Sequence, residues 1–393
     1  MRAVLITLVC LVIGMATAKS DKKVFCYFGS WSVYRPGNGN FNITRDIDPS
    51  LCTHLVYTFV GLKNNEISIL DPWADLSSDA GGHKNGYALF NALREKNPQL
   101  KTLIAIGGWN EGSRRYSYMA KNEEFREHFA ANAADFVRKH GFNGMDFDWE
   151  YPAQRGGAPE DVQNYIELLK VLRIYFDEHN LMLTAAVAPT EVSASKSYRI
   201  PEIIKYLDYV NIMTYDFHVG IENKTDVHAP LYQGSEESQY YEGWNAEASI
   251  KYWLSQGCPK EKILMGVPLY GRSFTLCDPN VNHIGAPACG PGNAGSYSRE
   301  PGMLGYNEIC EMFKQQSWNE QYDEERHAPY AHNDFQWITY DNVRSIKKKT
   351  ELIKKLNLGG AMVWSIETDD FSGICGEKYP LLNTLINGIR NRH

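Results

Sequence analysis

The sequence predicts an α/β fold, a closed (β/α)8 TIM barrel with a small α+β insertion between its seventh and eighth strands. Three observations predict it. Eight apolar strand-like runs recur along the chain, stretches of helical periodicity separate them, and one interval is far longer than a single crossover helix needs. Strands buried on both faces of a parallel sheet read as near-continuous apolar runs. Their alternation with helices implies a parallel sheet, and eight such units imply closure into a barrel.

The runs, in order, are KVFCYFGSW (23–31), HLVYTFVGL (54–62), LKTLIAIGGW (100–109), FNGMDFDWEYP (142–152), LMLTAAVAP (181–189), YVNIMTYDFH (209–218), KILMGVPLYG (262–271) and GGAMVWSIETDD (359–370). Between them the helical signal is plain in NEEFREHFAANAADFVRKHG (122–141), where acids open the segment and Lys, His and Gly close it. The interval between the seventh and eighth runs holds about 87 residues. Its part from 274 to 337 is rich in Gly, Pro, Tyr and Asn, carries three cysteines, and reads as the insertion. Internal repeats and low-complexity linkers are absent, so residues 19–393 read as one catalytic-sized domain.

Residues 1–18 pair Arg2 with the apolar run AVLITLVCLVIGMATA and end in Ala16, Thr17 and Ala18, which reads as a secretory signal peptide. A secreted, extracellular location is expected. No later segment is long and apolar enough to span a bilayer, so no membrane partner is expected. The net charge of −7 with no long basic run argues against nucleic acid. No cluster of Cys and His has zinc spacing, so neither metal nor cofactor is expected. Of eight cysteines, Cys10 falls in the leader and seven remain, an odd number that leaves at least one unpaired or paired between chains. Asn42-Ile-Thr and Asn223-Lys-Thr are glycosylation sequons. The domain is expected to be a monomer.

The fourth run carries the candidate chemistry. On a strand Asp146, Asp148 and Glu150 share one face, while Met145, Phe147 and Trp149 share the other. Burying several carboxylates together displaces their pKa values, which general acid chemistry requires. A solvated polar face is the bland alternative. Against it stand the other strand ends, where barrel enzymes keep their active sites. They offer Trp31, Gly107-Gly108-Trp109, Glu150-Tyr151, Met213-Tyr215-Asp216, Tyr270-Arg272 and Trp364. An acidic row ringed by aromatics suits a sugar, whose flat faces present CH groups and whose edges present hydroxyls.

The motif GMDFDWEYP (144–152), with IGGWN (106–110), IMTYDFH (212–218), YGRSF (270–274) and GGAMVWS (359–365) in order, resembles glycoside hydrolase family 18, the secreted chitinases and their chitinase-like lectin relatives. The resemblance extends from about residue 23 to 387 and implies hydrolysis of chitin or chitin oligosaccharides, β-1,4-linked N-acetylglucosamine, with retention. By that resemblance Glu150 would be the general acid. Asp148 would orient the substrate's N-acetyl group, which serves as nucleophile in this family. Asp146 would share a proton or hydrogen bond with Asp148, and Tyr215 would hold the acetamido carbonyl. Asp216, Arg272 and Glu300 would contact sugars, Trp364 would floor the cleavage point, and Trp31 and Trp109 would line the two arms of the groove. Tyr27, Phe59, Gly108, Asn110, Tyr151, Met213 and Tyr270 would complete the substrate site. The resemblance also implies the disulfides Cys26–Cys52 and Cys310–Cys375, and Cys277 and Cys289, twelve apart within the insertion, are expected to close a short loop that leaves Cys258 free. Two positions depart from the family pattern. Asn143 stands where Asp is usual and is expected to be structural. The loop after IMTYDFH reads Val219, Gly220, Ile221 and lacks the usual aromatic, which puts leaving-group binding in doubt. Two rival readings share the scaffold, a non-catalytic chitin-binding lectin and an endo-β-N-acetylglucosaminidase acting on N-glycans. The retained acid row speaks against the first, and the insertion with Trp364 against the second.

Overall fold

The computed structural model of the protein describes residues 22–77, 82, 84–235 and 241–390, so the signal-peptide reading lies outside the described residues. The chain opens with β1 (Lys23–Gly29), β2 (His54–Lys63), β3 (Glu66–Ile69), β4 (Lys101–Gly107), β5 (Gly144–Asp148), β6 (Met182–Val187), β7 (Tyr209–Ile212) and β8 (Ile263–Pro268). The insertion contributes β9 (Tyr270–Leu276), β10 (Ala288–Pro291), β11 (Met303–Gly305), β12 (Asn319–Asp323), β13 (Ala328–Asn333) and β14 (Gln336–Thr339) before β15 (Gly360–Trp364) returns to the barrel.

Eight of these strands are parallel and close into a ring in the order β1, β15, β8, β7, β6, β5, β4, β2, with β2 pairing β1. Each matches one of the eight predicted runs. Alternate residues face opposite sides, which builds two cores. Phe25, Tyr27, Val56, Leu103, Leu264 and Met362 fill the barrel, whereas Val24, Cys26, Phe28, Leu55, Ile104 and Val363 pack outward beneath the helices. Burying a side chain of this size contributes roughly 1.5–3 kcal/mol, so the doubly buried strands hold the fold together.

Two features were not legible as read. The short β3 pairs antiparallel with β2 through a turn in which Asn64 and Asn65 both have positive φ, the two-residue hairpin that favours Asn. The seventh predicted run, 262–271, spans two strands. Pro268 ends β8, and β9 leaves the barrel from Tyr270 to found an antiparallel sheet ordered β10, β9, β14, β13, β12, with β11 beside β10 on the edge of β9 opposite β14. The insertion sheet therefore runs from Tyr270 to Thr339, a few residues beyond the 274–337 expected. Pro268 is the one break at the join, and apolar residues continue on both sides of it, so the run reads as a single strand.

Cys26–Cys52, Cys277–Cys289 and Cys310–Cys375 are bonded, and Cys258 is free and buried, as the sequence reading held. Cys310–Cys375 ties the insertion helix Tyr306–Gln315 to the chain beyond β15. Among the described residues no helix is long and apolar enough to cross a membrane. Asn42 caps the helix Ile43–Asp46, and both sequon asparagines are exposed.

Candidate active site

The acid row leaves β5 at the end of the barrel where the βα loops gather. Asp146 is fully buried, and three donors converge on it from three other strands. Its Oδ2 accepts from the Tyr27 hydroxyl at 2.6 Å, and its Oδ1 accepts from the Thr184 hydroxyl at 2.5 Å and from Asn211 Nδ2 at 2.9 Å. Burial raises its pKa, and these hydrogen bonds oppose that shift. Asp148 has the opposite surroundings. Its Oδ1 is buried without a hydrogen-bond partner, and burial, then the neighbouring Glu150 and Asp146, push its carboxyl well above the usual carboxylate range. Glu150 is pushed up to about 7, first by burial and further by Asp216, against the pull of Arg155 and of a hydrogen bond from Tyr151. Two carboxyls this close titrate as a unit, so the pair retains a proton near neutrality.

Glycine permits the backbone approach beside this row. Gly107 has φ +113, and a Cβ there would stand 2.0 Å from the carbonyl oxygen of Asp148. At Gly108, φ +85, a Cβ would meet the Phe59 ring at 2.8 Å, while the Gly108 amide donates to that same Asp148 carbonyl at 2.9 Å. The tetrad Ile106 to Trp109 is therefore built for contact between strand ends.

Above the acids the aromatics form one wall. Trp364 lies 5.5 Å from Tyr27, 5.8 Å from Phe59 and 6.3 Å from Trp31 between ring centroids, and Trp31 also stacks on Phe59. Met213, Tyr215 and Tyr270 belong to the same inner cluster. Tyr215 donates to the Met362 sulfur at 3.6 Å. Trp31 and Trp109 remain open to solvent, at 44% and 60% exposure. The peptide bonds Thr58–Phe59, Glu150–Tyr151 and Trp364–Ser365 are cis. On the insertion side Arg272 grips Asp216 with a fork, Nε to Oδ1 at 2.8 Å and Nη2 to Oδ2 at 2.6 Å. Burial alone would raise the Asp216 carboxyl, but Arg272 outweighs it and holds the group well below the usual range. Glu300 is exposed, and its charge reaches Arg272.

This arrangement of an acid row, an aromatic wall and an insertion lobe has counterparts. The chain matches the profile described as "Glycosyl hydrolases family 18" over residues 23–369. It belongs to glycoside hydrolase family 18. Probable chitinase 2 of Drosophila melanogaster is 41% identical over 90% of this chain and 74% of its own length. The Group IV chitinase of Ostrinia furnacalis, solved in complex with allosamidin, is 45% identical with a TM-score of 0.89, over 93% of this chain and 98% of that one. Human YKL-39, described as a pseudo-chitinase with retained chitooligosaccharide binding, is 34% identical with a TM-score of 0.85, over 94% and 99% of the two chains.

Trp31, Trp109, Glu150, Tyr151, Tyr215, Asp216 and Trp364 stand at or just beyond the C-terminal ends of barrel strands, whereas Tyr27 and Asp146 lie within the barrel and Glu300 on the insertion. Asn110 is exposed in the turn after β4, beside Trp109, and Tyr151 is half-buried next to Glu150. Asn143 lies at the far end of β5, where its Oδ1 accepts from Thr102 N and Arg94 Nη1, both at 3.0 Å, which is a structural role. Ile221 is 85% exposed on a loop whose Gly220 packs against Ser273 and Pro291 of the insertion. Sequence reasoning missed Thr184, Asn211 and Glu308. The first two were visible as polar residues interrupting the apolar runs LMLTAAV and YVNIM. Glu308, buried at the start of an insertion helix, accepts from the amides of Tyr297, Ser298 and Gly305 and so holds the loop bearing Glu300. Trp364→Ala is expected to weaken chitin-oligomer affinity about tenfold or more, since stacking and apolar burial of an aromatic contribute on the order of 1–3 kcal/mol. Calorimetric titration with an oligomer checks it.

Proposed function

We propose that this family 18 hydrolase is a secreted chitinase that cleaves β-1,4-linked N-acetylglucosamine polymers and oligomers with retention, using the substrate's own N-acetyl group as nucleophile. One observation carries the reading. Glu150, held near pKa 7, stands at the mouth of the row beside an Asp148 whose carboxyl oxygen has no protein partner. A protonated acid and an unsatisfied acceptor, side by side in an aromatic channel, are what a leaving oxygen and an acetamido N–H require.

In this reading Glu150 protonates the glycosidic oxygen. Asp148 accepts from the acetamido N–H and stabilises the positive charge that develops as the acetamido oxygen attacks the anomeric carbon. Tyr215 orients that oxygen by donating its hydroxyl proton. Asp146, already saturated by Tyr27, Thr184 and Asn211, keeps Asp148 from ionising freely by its charge. After the leaving sugar departs, Glu150 takes a proton from water, which opens the cyclic intermediate from the same face. Asp216, pinned by Arg272, presents a fixed charged edge to the sugars.

Incubation of the purified protein with chitin oligosaccharides tests this directly. Shorter N-acetylglucosamine oligomers are expected, with kcat/KM falling as pH rises through about 7, where Glu150 loses the proton it must donate. Oligomer binding with no cleavage at any pH overturns the proposal and leaves a lectin.

A further inference from the structure

Arg155 follows the acid row by five positions, in a turn that family resemblance did not single out. The turn is fixed. Ala153, Arg155 and Gly156 all have positive φ, and the buried Asp161 carboxylate accepts from the amides of Ala153 and Ala158 and from the Ser117 hydroxyl. From it the Arg155 side chain folds back across the site. Its guanidinium carbon lies 3.4 Å from the centroid of the Trp109 ring, its Nη2 donates to the Trp109 carbonyl at 2.9 Å, and its Nη1 donates to the Glu150 carbonyl at 3.0 Å.

We propose that Arg155 is a positioning residue that fastens the exposed Trp109 ring to the backbone of Glu150, so that ring and acid keep one register across the groove. This rests on the reading of Glu150 as the acid. Three contacts from one planar group support it, two to carbonyls belonging to different βα loops and one to an indole face. Only a guanidinium offers both the fork and the flat cation. A second consequence is electrostatic. The groups that act on Glu150 are Asp148 on β5, Tyr151 and Arg155 in the turn beyond it, Tyr198, and Tyr215 and Asp216 after β7, the last held by Arg272 and His228. Of those that pull the acid's pKa down, Arg155 is the cation.

Arg155→Met removes charge and fork together, and Arg155→Lys keeps the charge alone. Both are expected to raise KM for oligomers by roughly threefold to tenfold. Only Arg155→Met is expected to move the alkaline limb of kcat/KM, to higher pH by about half a unit or more, because losing a nearby cation raises the acid's pKa. Thermal unfolding monitors folding of both. A KM within twofold of wild type in Arg155→Lys overturns the positioning role, as does an unmoved limb in Arg155→Met for the electrostatic one. Calorimetric oligomer affinity reads the same clamp without turnover, and a loss in both variants is expected there too. A wild type that binds but never cleaves overturns the chitinase reading, whereas unmoved affinity in the variants overturns the clamp.

Discussion

Glu150→Gln is expected to lower turnover of chitin oligomers by roughly 100- to 10,000-fold, the range general acid catalysis supplies, while oligomer affinity stays within a few-fold. The amide keeps the shape of the carboxyl but has no proton to give at the glycosidic oxygen. Single-turnover hydrolysis of an oligomer, paired with calorimetric binding, separates the two. A variant retaining more than about a tenth of wild-type rate removes Glu150 from the role of acid. The same substitution carries a stability signature. Burial raises the Glu150 carboxyl from its ordinary 4.5 to about 7, so between those values the folded protein holds a proton that the unfolded chain has released. Folding stability therefore falls as pH rises through that window. Glutamine has no proton to lose. Above pH 7 the variant should melt later than wild type, by about 2 °C or more, and the difference should vanish below pH 4.5, where both side chains are neutral. A site residue whose removal stabilises the protein is retained for chemistry.

Removing the N-acetyl group from the sugar on the non-reducing side of the scissile bond is expected to abolish cleavage at that bond. Removing one from a remote sugar should only weaken binding. The acetamido oxygen is the proposed nucleophile, and in this reading Asp148, whose Oδ1 has no partner, accepts from the acetamido N–H while Tyr215, a buried member of the inner cluster, orients the oxygen. A two-step path inverts the anomeric centre twice, so the first product released should be the β-anomer, and a thiazoline mimic of the cyclic intermediate should bind more tightly than product sugar. NMR of fresh product decides it. An initial α-anomer would mean direct attack by water, and the roles proposed for Asp148 and Tyr215 would fall.

How much of this was legible before folding depends on the range over which each feature is set. The eight barrel strands were readable because double burial imposes a local apolar pattern, and the acids of residues 146, 148 and 150 fall on one face because side chains on a strand alternate. The family motifs located Trp109, Tyr151, Tyr215, Tyr270 and Trp364 by residue type and order, and the wider resemblance implied two of the disulfides. The charge states were not readable. Asp146 is satisfied by Tyr27, Thr184 and Asn211, which lie 119, 38 and 65 positions away in the chain, and only closure of the barrel brings β1, β6 and β7 against β5. The same holds for the fork of Arg272 on Asp216, 56 positions apart, and for Arg155 spanning two loops to reach Trp109. The start of the insertion escaped for a related reason, since apolar residues continue on both sides of Pro268 and the change of hydrogen-bonding partner, not the pattern, separates β8 from β9. Periodicity is a property of neighbours along the chain, whereas a pKa is set by neighbours in space. The sequence determined by itself which residues form the barrel and the acid row. The tertiary structure decided which of the three carboxyls is saturated, which is left without a partner, and which holds a proton near neutrality.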